Sequence, residues 1–283
     1  MAMPSAKGLF HKAAIQSGST LKARSKEEAS TATAKLLKEL KIDSGKADEI
    51  QKIHWTKIIE AVENSGFSPI VDGEIIPHHP FDPDAPIESA NVPLLVGYTK
   101  EDAGFLVAAE AINDEGLRAW TKEKFKDKTD QILNTYSKVY ANATSTQIRA
   151  RIATDEWIRI RATKMAERKV AQKAAPVFMF IVEWPSPSFG GKFGAVHGVD
   201  LGLVLADPRI PIAGNTLGAR KMAKIVGSSF AAFARNGNPN CGEVPNWPQY
   251  NLDSRSTMIF NEECRVENDP GKEVRLLWEG FES

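Results

Sequence analysis

Three segments of this sequence carry side chains that could do chemistry together. Lys100-Glu101-Asp102-Ala103-Gly104-Phe105 sets two adjacent carboxylates directly after an apolar run. Either could orient a histidine; the alternative is charge at a helix N-terminus, where Asp and Glu complement the dipole. Phe193-Gly194-Ala195-Val196-His197-Gly198-Val199-Asp200-Leu201 holds a histidine between glycines, ahead of an apolar stretch. A general base needs such a setting, an imidazole held by backbone near a strand end, although a lone histidine can equally be structural. Gln16-Ser17-Gly18-Ser19 follows a short apolar run, which makes Ser17 a nucleophile candidate. Its surroundings are not the strained G-x-S-x-G turn that exposes a nucleophilic serine, and no G-x-S-x-G occurs in the 283 residues. The residues alone therefore offer an acid and a base without a nucleophile.

The elements that must position these side chains read as alternating strands and helices. Ala13–Gln16 is a short buried strand entering a turn. Ser25 with Glu28 forms a capping box ahead of a helical stripe of Ala29, Leu36, Leu37 and Leu40. A second helix is predicted from Gly45 to Asn64, with a face of Ala47, Ile50, His54, Ile58 and Ala61 and Gly66 as its stop. Phe67 to Pro86, rich in Pro, Asp and Gly, reads as a surface excursion. The continuous apolar run Val92–Thr99 predicts a strand covered on both faces. Helices are predicted at Glu115–Lys126, Asp130–Tyr140 and Thr146–Lys173, then a strand at Val177–Trp184 and a loop from Pro185 to Val196. Asn215–Arg235 is a long helix stopped at Asn236-Gly237, Ser256–Phe260 a last strand, and Leu276–Glu279 part of a closing helix. Apolar strands separated by helices mean an α/β fold with a mostly parallel sheet. In such sheets reactive groups lie just past the carboxyl ends of strands, where all three segments fall.

Composition removes several function classes. Lys and Arg number 36 against 36 Asp and Glu, a net charge of +0, which argues against a nucleic-acid binder. A hydrophobic fraction of 42% supports a sizeable core. No apolar run reaches the roughly 20 residues of a membrane-spanning helix. Cys241 and Cys264 are too few for a disulfide scaffold, and their spacing leaves a bridge or two thiols open. Only His78-His79 looks metal-like, and neighbours in an extended segment point apart; neither metal nor cofactor is expected. The first residues lack the pattern of a secretory signal, and the compartment stays unknown. The apolar run at Ala13 lies so near Met1 that an internal start is expected.

Taken in order, the segments resemble the type B carboxylesterases, the esterase/cholinesterase branch of the α/β-hydrolases. Lys7-Gly-Leu-Phe-His-Lys-Ala-Ala-Ile-Gln-Ser-Gly-Ser is similar to the stretch just downstream of that family's nucleophile elbow. Ser68-Pro-Ile-Val-Asp-Gly-Glu-Ile-Ile-Pro resembles its P-x-x-D-G-x-x-x-P segment, and Leu95-Val-Gly-Tyr-Thr-Lys-Glu-Asp-Ala-Gly-Phe its catalytic-acid loop. Gly194-Ala-Val-His-Gly-Val-Asp-Leu resembles its histidine motif. Phe233-Ala-Arg-Asn-Gly-Asn-Pro-Asn, Trp247-Pro-Gln-Tyr, Thr257-Met-Ile-Phe and Asn268-Asp-Pro resemble its closing segments. The likeness spans nearly the whole chain.

The resemblance implies an α/β-hydrolase fold, with residues 1–283 the C-terminal portion of a single carboxylesterase type B domain. It implies serine-type hydrolysis of a small carboxylic ester. Asp102 takes the triad-acid position, where the family usually has the longer Glu, and Glu101 stays the alternative acid, otherwise a surface or dipole charge. His197 takes the base position, and Ser17 that of a serine supporting the acid. Phe105 and Trp184 fall where the family lines its acyl or alcohol pocket, with ordinary core aromatics as the other reading. The family's G-E-S-A-G-type elbow would lie just before Met1 and its glycine-rich oxyanion segment further upstream. The implied partner is therefore a missing N-terminal segment of the same fold, without which the chain is expected to be inactive. Its absence is also expected to leave the strand near Ala13–Ser17 at an open sheet edge. The alternatives are a non-catalytic cholinesterase-like binding domain and an inactive truncated fragment.

Overall fold

The computed structural model describes residues 1–62, 67–107 and 110–282. In chain order the elements are β1 (Ala13–Gln16), α1 (Lys26–Glu39), α2 (Trp55–Val62), β2 (Leu94–Thr99), α3 (Gly104–Val107), α4 (Asp114–Phe125), α5 (Thr129–Val139) and α6 (Ser145–Thr154). They continue with α7 (Ile160–Ala171), β3 (Val177–Val182), α8 (Val199–Val204), α9 (Leu217–Asn236), β4 (Ser256–Phe260), β5 (Arg265–Asn268) and α10 (Lys272–Glu282). The residues divide into two compact units, Met1–Leu9 with Thr20–Ser89 and Phe10–Ser19 with Ala90–Ser283.

The larger unit is built on a sheet ordered β1-β2-β3-β4-β5. Its first three pairings are parallel and the last is antiparallel. Every residue of β2, β3 and β4 is buried, which is why β3 is apolar throughout and β2 and β4 carry polar residues only at one end, with no alternation. In the β2–β3 register Gly97 faces Phe180. A Cβ at Gly97 would sit 2.3 Å from the Phe180 carbonyl oxygen and 2.6 Å from its ring, so no side chain fits there. Phe178, Phe180, Met258 and Phe260 pack with Met222, Val226 and Phe233 of α9 and with Trp247. A second cluster joins Leu117, Ile132, Tyr136, Ile148 and Ile152 to Val274 and Trp278 of α10.

Among the described residues β1 pairs only with β2 and forms an edge of the sheet, as expected. The other edge, β5, was not predicted. Arg265-Val-Glu-Asn is short and half-exposed, and its antiparallel partner β4 rather than an apolar pattern makes it a strand. The predicted helix Thr146–Lys173 is α6 and α7 run together through a π-helical turn at Asp155–Arg159. That wide turn places buried Asp155 to accept the Tyr136 hydroxyl at 2.5 Å. Arg159 reaches Asp155 at 3.5 Å and donates to the carbonyls of Pro270 and Gly271, just before α10.

In the smaller unit the capping box is present, with Glu28 N–H donating to Ser25 Oγ at 3.1 Å and Ser25 N–H to Glu28 Oε2 at 2.7 Å. Leu36 and Leu37 are buried. The helix predicted from Gly45 is two pieces. Ser44–Lys52 is a 3-10 run kinked at Lys46, and Ile53 is extended. His54 Nδ1 then accepts the Thr56 N–H, so the side chain restarts the chain as α2 instead of letting one helix continue. The predicted end at Asn64 and stop at Gly66 lie outside the described residues. Among the described residues no helix is long and apolar enough to cross a membrane. Cys241 and Cys264 are both free thiols.

Candidate active site

The loop after β2 carries the candidate acid. Asp102 lies three residues past Thr99 and is 1% exposed. Its Oδ2 accepts the Thr99 N–H at 3.0 Å and the Ser17 hydroxyl, and its Oδ1 meets His197 Nδ1 at 2.7 Å. Ser17 stands just past β1 with φ at +56°, the left-handed region that a serine adopts only when its surroundings hold it there. Its N–H donates to Gly97 O at 2.8 Å, extending the β1–β2 pairing by one residue and bringing the hydroxyl beside Asp102. Asp102, short as its side chain is, therefore reaches both His197 and the Ser17 hydroxyl.

His197 comes from the loop after β3, between Gly194 and Gly198, both at positive φ. Its side chain is 65% exposed. With Nδ1 engaged by a buried carboxylate, the opposite edge of the ring, with Nε2, faces solvent. The hydrogen bond to Asp102 raises the imidazole above its ordinary pKa of 6.5; the charges of Asp102 and Asp200 add to this and partial burial opposes it. The stabilisation it gives is complete below 6.5 and is lost as pH rises through the folded value. A base must be neutral to work, so the acid limb of any activity using His197 falls above 6.5.

Asp200, at the start of α8, was not singled out by the sequence. It is buried and accepts from Gln16 Nε2 at 2.5 Å, and burial pushes its carboxyl upward against that bond. A carboxylate three residues beyond a histidine, where a helix begins, was the available signal.

Glu101 requires a correction. It is neither a surface nor a helix-dipole charge but 2% exposed, because Arg151 of α6 pairs with it at 2.6 Å and its backbone joins the histidine loop. Burial pushes its carboxyl up, and Arg151 opposes the shift. It makes no contact that would let it replace Asp102, which holds the histidine.

The other two candidates separate. Phe105, on α3, meets Phe189 and Phe193 edge-on, with ring centres 5.3 and 5.7 Å away, beside the loops of both Asp102 and His197. Trp184 instead donates from Nε1 to Ala213 O at 3.1 Å and covers Gly218 of α9, where a Cβ would lie 2.7 Å from its ring. Its contacts are those of the core. Among the described residues no three His, Cys, Asp or Glu side chains converge as a metal set.

The para-nitrobenzyl esterase of Bacillus subtilis (strain 168) is 26% identical over 97% of this chain. The phenmedipham hydrolase of Pseudarthrobacter oxydans is 23% identical over 92%. The chain spans 58% and 56% of the length of these two relatives. A solved pNB esterase superposes on 98% of the chain with a TM-score of 0.72 at 25% identity, and the chain covers 59% of it. A Geobacillus stearothermophilus carboxylesterase superposes on 98% with a TM-score of 0.75 at 24% identity, and the chain covers 60% of it. The sheet with its flanking helices is thus that of the α/β-hydrolase esterases. The model of the Carboxylesterase family runs over residues 1–278, through Ser17, Asp102 and His197 alike, and the chain belongs to that family.

Proposed function

We propose that this chain supplies the base and the orienting acid of a serine-type carboxylic ester hydrolase acting on a small ester, and that both units are parts of one carboxylesterase domain. The observation that carries this reading is the buried Asp102 carboxylate, filled on Oδ2 by Ser17 and Thr99 and joined through Oδ1 to an imidazole whose other edge is open. Nε2 takes the proton of an attacking serine hydroxyl, and Asp102 holds the tautomer and stabilises the imidazolium. Nε2 then protonates the departing alkoxide, and water repeats the sequence to release the acid. In this proposal the serine and the oxyanion donors come from a segment of the same fold outside the 283 residues. Ser17 is not that serine, since its hydroxyl is given to Asp102. Phe105, Phe189 and Phe193 offer an apolar wall to the acyl or alcohol group.

The test combines the chain, fused or co-expressed, with an upstream family segment carrying a G-x-S-x-G serine. The chain alone gives no turnover of a chromogenic short-chain ester above a His197→Ala control. The combination gives saturable turnover with an acid limb above pH 6.5. Saturable turnover by the chain alone, lost in Ser17→Ala, would make Ser17 the nucleophile and overturn the assignment.

A further inference from the structure

Asp102 and His197 sit on loops that follow different strands and touch each other through one hydrogen bond of 2.7 Å. The backbones of these two loops are joined at residue 101. The Glu101 N–H donates to Ala195 O at 2.9 Å, and the Ala195 N–H donates back to Glu101 Oε2 at 2.8 Å. One residue thus grips both polar groups of Ala195, two positions before His197. The grip needs its own anchor. Glu101 Oε1 takes Arg151 Nε and Nη2, each at 2.6 Å, and the guanidinium lies over the Tyr140 ring at 4.5 Å. One turn further along α6, Thr154 Oγ1 accepts the Ala103 N–H at 2.9 Å, so the same helix holds both neighbours of Asp102. Gly194 makes room for the arrangement: its φ is +72°, and a Cβ there would lie 2.6 Å from Glu101 Oε2.

Burying a carboxylate and a guanidinium is costly, and an apolar pair of similar volume would often be at least as stable. An apolar residue at 101 could not accept a backbone N–H from the histidine loop. We propose that Glu101, clamped by Arg151, is the positioning residue that sets the Asp102–His197 geometry. It fixes the buried side of the imidazole loop while the reacting edge stays open. This rests on Asp102 and His197 being the acid–base pair.

The experiment is NMR of the 283-residue chain, reading the His197 ring titration and the downfield Nδ1 proton of its bond to Asp102. The carboxylates facing His197 are Asp102, on the loop after β2, and Asp200 on α8. The decisive variant is Arg151→Met. Loss of a nearby cation by itself raises the imidazole pKa or leaves it in place, whereas loss of the clamp lowers it toward 6.5. We expect the fall, with loss of the downfield proton, and partial return of both in Arg151→Lys, which keeps the charge without the fork. Glu101→Leu/Arg151→Met leaves no buried charge unpaired and is expected to lose the same resonance, so the question survives if the single variant does not fold. A downfield proton and a raised pKa retained in these variants would overturn the proposal. Their absence from the unaltered chain would instead remove the Asp102–His197 pair, and the clamp's purpose with it.

Discussion

In an assembled enzyme that joins these residues to a nucleophilic serine, His197→Ala lowers kcat by on the order of 10⁶ and Asp102→Asn by about 10⁴. The first removes the imidazole proposed to take the serine proton. The second keeps the shape of the side chain but replaces the carboxylate oxygen that faces Nδ1 at 2.7 Å, so the ring loses both its tautomer control and its counter-charge. Ser17→Ala follows far behind, at about tenfold, because it withdraws one of two hydrogen bonds from Asp102 Oδ2. KM stays nearly constant across the three, since none of them is expected to bind the ester in its ground state. Steady-state kinetics of all variants in one assembled enzyme would check the order. An Asp102→Asn loss below tenfold would take the acid role away from that carboxylate.

Arg159→Met destabilises the chain by about 3–5 kcal/mol, because it leaves Asp155 charged and buried without its cation. Arg159 and Asp155 have side chains only 6% and 5% exposed, so water cannot take over. The variant also frees the carbonyls of Pro270 and Gly271, which Arg159 ties to the π turn. Asp155→Asn/Arg159→Met recovers part of the loss, since the amide can still face the Tyr136 hydroxyl without a buried charge. Urea midpoints at constant slope measure both. A single-variant loss under 1 kcal/mol would mean that Asp155 escapes the penalty by taking up a proton in the variant, which burial favours once the cation is gone.

How much could be read from the sequence follows the physics of each element. The strands β1 and β4 stand at their predicted bounds, because a short β-type run closed by a turn marks its own ends; β1, read as buried, is instead only half-buried at the sheet's edge. The strand β5 and the helix α8 were silent. One depends on a partner strand, and the other is a turn and a half around Asp200, too short for a periodic stripe. Ser17, Asp102 and His197 were legible as residue types at strand ends. Glu101 was misread because its burial is decided by Arg151, fifty positions away, and a sequence does not display which charges meet. Trp184 and Phe105 looked alike as aromatics beside loops. Only the packing of Trp184 over Gly218 separates them.

The order of the sheet also governs how the chain comes to be folded. Each parallel pairing joins residues roughly eighty positions apart, and such closures cost entropy before any contact rewards them, which slows folding. Among the described strands the one local pairing is the β4–β5 hairpin, turned by Asn261–Cys264. Of these five strands, its two are the last to leave the ribosome. During synthesis β1, β2 and β3 emerge before this hairpin, so the buried strand β3 waits with one edge open until β4 arrives. A nascent chain arrested before residue 256 should accordingly recruit chaperones more strongly than one arrested after residue 268.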